Sequence, residues 1–230
     1  MISFMYLHGL LSSSKSKKGI LLKKKLDKYG KYYTPDFYPT RQEFEQMKVS
    51  LLLEKVENWV NQANSSVILI GSSFGGFIAT RYIQQQLMSD KVVGLILLAP
   101  ALDYYHLLKD YLLPSNQWKE WREQGYQLVD HPAWEQKTKW SWSFIQDLQE
   151  NHNPMDEPVT VPTLLIHGKA DDVIPVTNSR QYVAKQARFG CQWTSHYLSG
   201  GTHKLLNVLS EVIDLILNWL KSNSLLIKQL

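Results

Sequence analysis

With 230 residues, 44% of them hydrophobic and 20% charged, the chain carries enough apolar material for the core of one α/β domain, read as spanning residues 1–230. A formal net charge of +4 with both signs spread along the chain gives little reason to invoke nucleic acid. The single cysteine, Cys191, excludes an intrachain disulfide, no apolar run approaches the ~18 residues needed to span a bilayer, and no N-terminal secretion signal is visible, so a cytoplasmic setting is the expectation.

In chain order, the compact apolar run Ile2 to Leu7 reads as a strand ending at His8-Gly9. Lys18 to Tyr29 sets Ile20, Leu21, Leu22 and Leu26 among lysines at near-helical spacing, an amphipathic helix whose lysines are expected on a solvated outer face. A short strand from Tyr32 towards Asp36 and one helix from Arg41 to Gln62 precede Val67-Ile68-Leu69-Ile70, a β-branched run. A helix from Phe77 to Met88 follows, then Val92 to Leu98, an unbroken apolar run suited to a parallel strand covered on both faces. From Leu102 to Thr160 the composition changes: five of the eight tryptophans fall there, and residues 102–160 read as a helical cap inserted over one end of the sheet. The alternation resumes with a strand from Val161 to Gly168, a helix near Asn178 to Ala187, a strand from Gln192 to Leu198 and a helix from Leu205 to Leu220. Six strands with intervening helices predict an open, doubly wound, mostly parallel α/β sheet, with functional loops at the carboxyl ends of its strands.

Between the third strand and the next helix lies Gly71-Ser72-Ser73-Phe74-Gly75-Gly76. A sharp strand-to-helix turn needs small residues two before and two after its apex, and only Ser73 has glycine at both places, so Ser73 rather than Ser72 would hold its hydroxyl above the sheet. The Phe74 N–H, at the helix N-terminus, would point at an oxyanion formed on Ser73. A serine hydroxyl needs a base, and the base an orienting acid. Asp171 follows the strand ending at Gly168, and His203 sits in the loop Ser199-Gly200-Gly201-Thr202 after the last strand. Asp172 and Asp103 remain rival acids. His8 and His167 both sit in His-Gly turns, where an imidazole more often bonds local backbone than does chemistry. No phosphate loop, dinucleotide fingerprint or metal spacing is present, and no cofactor is implied.

The set Leu7-His8-Gly9-Leu10, Gly71-Ser72-Ser73-Phe74-Gly75-Gly76, His167-Gly168 with Asp171 and Ile174-Pro175, and Gly201-Thr202-His203 resembles the α/β-hydrolase superfamily over nearly the whole chain. Within it, Tyr6-Leu7-His8-Gly9 followed by Ser12-Ser13 and Ser16-Lys17 is similar to the small YqiA-like serine esterases. The resemblance implies the α/β-hydrolase fold without its first two strands, Ser73 as nucleophile, His203 as base, Asp171 as acid, and the Leu10 and Phe74 N–H groups as oxyanion hole. It departs in its longer cap and in Leu10, where phenylalanine is frequent.

The expected function is a serine hydrolase, a carboxylesterase cleaving a small-molecule ester or thioester through an acyl-enzyme. A thioesterase or C–C hydrolase on the same three residues, and a non-catalytic hydrolase-fold binding protein, are the alternatives. Trp118, Trp121, Trp134, Trp140 and Trp142 either give the cap its own core or roof a substrate pocket for an uncharged acyl chain of small to medium length. No membrane span is expected, and the oligomeric state is left open.

Overall fold

The computed structural model describes residues 2–85, 90–151 and 155–226. Its sheet is built from β1 (Ile2–Leu7), β2 (Gly30–Tyr33), β3 (Ser66–Ser72), β4 (Val92–Leu98), β7 (Thr163–Gly168) and β8 (Trp193–Leu198), ordered β2-β1-β3-β4-β7-β8. Every pairing in it is parallel. Helices α1 (Lys17–Leu26) and α9 (Leu209–Ser222) pack on one face, and α3 (Val49–Gln62), α4 (Phe74–Gln84) and α8 (Val176–Gln186) on the other. Strand periodicity of two divides the side chains between these layers. Met5, Leu7, Leu69, Leu95 and Leu97 join the α3–α4 core, while Phe4, Tyr6, Ile68, Ile70, Ile96 and Leu98 join the α1–α9 core. Because both faces are covered, the strands read as continuous apolar runs.

Three expected elements differ. The helix foreseen from Arg41 to Gln62 is two helices, α2 (Arg41–Glu45) and α3, separated at Lys48, whose backbone is extended (φ −137°, ψ 152°). The cause is tertiary: Glu45 Oε1 accepts hydrogen bonds from Thr138 Oγ1 (3.0 Å) and the Lys139 N–H (3.2 Å), tying α2 to the insertion while α3 stays on the sheet. The second strand ends at Tyr33, so that Asp36 is free to reach the His8 loop. The helix after β3 begins at Phe74, not Phe77, and the remainder expected as far as Met88 runs outside the described residues.

Between β4 and β7 the chain forms α5 (Tyr104–Leu107) with a π-helical turn, α6 (Ser115–Gln124), a two-stranded antiparallel ribbon of β5 (Tyr126–Val129) and β6 (Thr138–Ser141), and α7 (Trp142–Glu150). The ribbon was not foreseen, since its four-residue strands give too short an alternation to read. Among the described residues no helix is long and apolar enough to cross a membrane.

The β3–α4 turn brings backbone against backbone. A Cβ at Gly71 would sit 2.6 Å from Gly75 O and Gly76 Cα, and one at Gly75 would overlap the Leu7 carbonyl and lie 2.6 Å from His8 O. Those obstacles are backbone and cannot swing away. Gly75→Ala is therefore expected to cost about 3 kcal/mol or more in urea denaturation. Gly190→Ala, whose Cβ meets nothing within 4 Å but whose φ is +71°, should cost about 1 kcal/mol.

Candidate active site

Ser73 occupies the apex of that turn with φ 53° and ψ −121°, a sparsely populated conformation for any L-residue. The surrounding backbone holds it there. Its N–H donates to Leu98 O (3.1 Å), and its carbonyl accepts from the N–H groups of Gly76 (2.8 Å) and Ala101 (3.1 Å). The hydroxyl is thereby fixed at the carboxyl edge of β3, where the loops after β7 and β8 converge.

His203, in the loop after β8, places Nε2 3.0 Å from Ser73 Oγ, and its Nδ1 lies 2.8 Å from Asp171 Oδ2. Asp171, from the loop after β7, has a side chain with no exposed surface. Its Oδ1 accepts from the N–H groups of Val173 (2.9 Å) and Ile174 (2.8 Å), and its Oδ2 also accepts from His167 Nε2 at 3.0 Å. Burial pushes this carboxyl up. The hydrogen bonds from His167, His203 and Ile174, with the field of His203, outweigh burial and hold it well below the ordinary 3.8. Ser73, His203 and Asp171 thus form one hydrogen-bonded chain. The rivals lie apart from it: Asp172 is exposed, and Asp103 bonds His106 Nδ1 at 2.8 Å.

The loop after β1 completes this edge. His8 Nδ1–H donates to Gly9 O (2.9 Å), the Tyr38 hydroxyl donates to the same oxygen (3.2 Å), and Asp36 Oδ2 accepts from the Ser14 N–H (3.0 Å). These contacts hold Gly9 against the β3–α4 turn, where a Cβ on Gly9 would lie 3.3 Å from Ser73 Cβ. The backbone of Leu10 follows directly, and Phe74 opens α4 on the other side of the hydroxyl.

A cavity of about 450 Å³ opens beside Ser73 and His203, lined also by Tyr6, Leu10, Lys18 and Ser72. Pro132 is the one lining residue contributed by the insertion. The five tryptophans, read as either a core for the insertion or a roof for the pocket, line none of this cavity. Trp121 and Trp140 are buried with ring centroids 4.7 Å apart, and Trp121 Nε1 donates to Trp140 O at 2.8 Å. Trp118 stands edge-on to Trp142 at 5.3 Å, and Trp134 stacks on His131 at 3.8 Å. They pack on one another because indole rings bury large area and prefer edge-to-face neighbours.

Two groups were missed from the sequence. Lys18 was assigned to a solvated face, yet it is 8% exposed with Nζ 2.9 Å from Ser72 Oγ. The signal was its spacing: positions 18, 22 and 26 share one helix face, and Leu22 and Leu26 are fully buried. Asp36 and Tyr38, which brace the His8 loop, sit in an aromatic loop with no motif of their own.

A family model described as uncharacterised protein family UPF0227 matches residues 3–219, and the chain belongs to that family. The human protein named palmitoyl-protein thioesterase ABHD10, mitochondrial, is 32% identical over 130 residues. That match takes in 52% of this chain and 39% of the human protein, so the chain spans about two fifths of that relative's length. Among solved structures, one from Agrobacterium vitis S4 superposes with a TM-score of 0.77 at 21% identity, covering 95% of this chain and 87% of that one. A monoacylglycerol lipase from Paleococcus ferrophilus superposes at 0.72 with 18% identity, covering 96% of this chain and 94% of the lipase. At these identities the superpositions speak to the fold.

The depressed carboxyls carry a pH prediction. Folding lowers Asp171, and it lowers Asp36 likewise, burial being outweighed there by His8 and the Ser14 N–H. Such groups contribute stability that is complete above the unfolded value near 4 and is lost as pH falls towards the lower folded value. Unfolding free energy from urea titrations should therefore drop between about pH 4 and pH 2, and Asp171→Asn should flatten that slope while lowering stability at pH 7.

Proposed function

We propose that this chain is a serine hydrolase cleaving a carboxylic ester or thioester of a small to medium acyl group through an acyl-enzyme. The observation that supports this most directly is the continuous contact from Asp171 through His203 to Ser73 Oγ, set on a strained turn beside an accessible cavity. In this reading His203 Nε2 takes the Ser73 proton as Oγ attacks the carbonyl carbon, and Asp171 stabilises the imidazolium formed. The Leu10 and Phe74 N–H groups receive the oxyanion of the tetrahedral intermediate. As the intermediate collapses, His203 returns the proton to the leaving alcohol or thiol. Water then enters, loses a proton to His203 and releases the acid, which restores Ser73.

Asp171 engages two histidines at once, and the proposal gives them different tasks. His167 donates from Nε2, also to Ile174 O (3.1 Å), and its Nδ1 accepts from the Ser179 hydroxyl (2.7 Å), so it is committed to structure. His203 alone reaches the nucleophile. A thioester is the second reading within the same chemistry, supported by the name of the human relative.

A fluorophosphonate probe should label the purified protein, and Ser73→Ala should abolish both labelling and hydrolysis of p-nitrophenyl and thiol esters. Loss of Ser73 or His203 should lower kcat by ~10⁴ to 10⁶, and Asp171→Asn should cost far more than Asp172→Asn or Asp103→Asn. Undiminished labelling of Ser73→Ala, or a larger loss with Asp103→Asn, would redraw the site.

A further inference from the structure

The cavity beside Ser73 holds a buried charge that acyl transfer does not use. Lys18, in the first turn of α1, lies on the face that Leu22 and Leu26 bury, and its Nζ donates to Ser72 Oγ at 2.9 Å. An ammonium has three N–H donors. Among the described residues Ser72 is the acceptor it has, and Ser72 is neutral. Asp171 is the carboxylate whose field reaches Lys18, but its oxygens are already taken by His167, His203, Val173 and Ile174. The cavity wall around it includes Lys17 and Lys204 and no carboxylate.

A purely structural clamp on Ser72 would need one donor and no charge, whereas a buried cation with one neutral partner is destabilised by lost hydration. Burial indeed pulls this ammonium down to about 8, with the field of Asp171 opposing it. Among the described residues lining the cavity no group of opposite charge meets it. Two remaining N–H groups on a compact point charge suit a two-oxygen monoanion.

We propose that Lys18 is a specificity-determining residue whose ammonium receives a carboxylate on the substrate, so that the preferred esters carry a negative charge near the scissile bond. This rests on the hydrolase reading above, and it replaces the expectation of an uncharged acyl chain, which depended on tryptophans that lie away from this cavity.

The test compares kcat/KM for mono-p-nitrophenyl adipate with p-nitrophenyl hexanoate, which moves a charge without changing chain length. A second pair, 4-(hexanoyloxy)benzoate and phenyl hexanoate, moves the charge to the leaving group. The wild type should favour one charged member by about 10-fold or more, and Lys18→Met should reduce that charged-to-neutral ratio by about 10- to 100-fold. Lys18→Arg, which keeps the charge, should retain part of it. A wild type with no preference in either pair overturns the proposal, whether or not the variants fold, and so does a Lys18→Met variant whose losses are equal for charged and neutral esters. If the wild type neither reacts with fluorophosphonate nor hydrolyses any ester, the hydrolase reading fails. Calorimetric titration of Ser73→Ala, with and without Lys18→Met, with the same four esters then decides the carboxylate proposal by binding alone: tighter binding of a charged ester that depends on Lys18 supports it, and equal binding overturns it.

Discussion

Helix α4 crosses the ends of β1 and β3 at backbone contact, and the remaining architecture of the site follows from that crossing. Gly71 and Gly75 permit the approach, Ser73 absorbs the change of direction in a strained conformation, and Leu98 and Ala101 of the β4 edge hold it with backbone hydrogen bonds. Strain of this kind costs on the order of 1–3 kcal/mol and survives only where neighbours over-determine the conformation. Here they include two adjacent strands and the first turn of a fully buried helix. The hydroxyl is presented by the sheet itself, which makes its position independent of the more polar loops around it.

The loops that meet Ser73 are braced in the same manner at both sides. His8 and His167 each end a strand in a His-Gly turn, and each lies beside a carboxylate supplied by a loop, at 3.2 Å from Asp36 and 3.0 Å from Asp171. Both carboxylates also accept backbone N–H groups, so each fixes a loop as well as a ring. The difference lies in what the braced loop delivers. Around His8 it is the Gly9–Leu10 backbone. Around His167 it is a carboxylate whose Oδ2 is shared between His167 and His203. Charge-assisted bonds to carboxylates are among the stronger polar interactions a fold can use, which suits them to hold loops against a rigid edge.

Much of this was legible from the residues. Apolar runs gave β1 and β4 to the residue, because parallel strands covered on both faces leave no ambiguity of period. The small residues flanking Ser73 located the turn because only glycine fits there. What failed to read was whatever tertiary contact decided. The break between α2 and α3 depends on Glu45 meeting β6, more than 90 residues away. Lys18 was misread because lysine-rich helices are usually solvated, although its i, i+4, i+8 relation to Leu22 and Leu26 pointed inward. The five tryptophans drew notice to residues 102–160, but composition could not say which way their rings face, and in the structure they join the core on the α3–α4 side of the sheet.

That orientation bears on how the insertion touches the site. Within it Trp121 packs on Trp140 and Trp118 on Trp142, and it meets the β3–α4 turn through Phe74, whose ring contacts Tyr104 at 5.1 Å and Phe144 at 6.0 Å. Phe74 is also the first residue of α4, directly after Ser73. A packed aromatic core transmits displacement because it is dense and shape-specific. The insertion therefore packs against the turn through the Phe74 side chain, while the cavity beside Ser73 is lined by Tyr6, Ser72 and Lys18 together with Leu10, Leu11 and Leu206. The loop after β1 and the first turn of α1 supply much of that lining, and the insertion supplies Pro132.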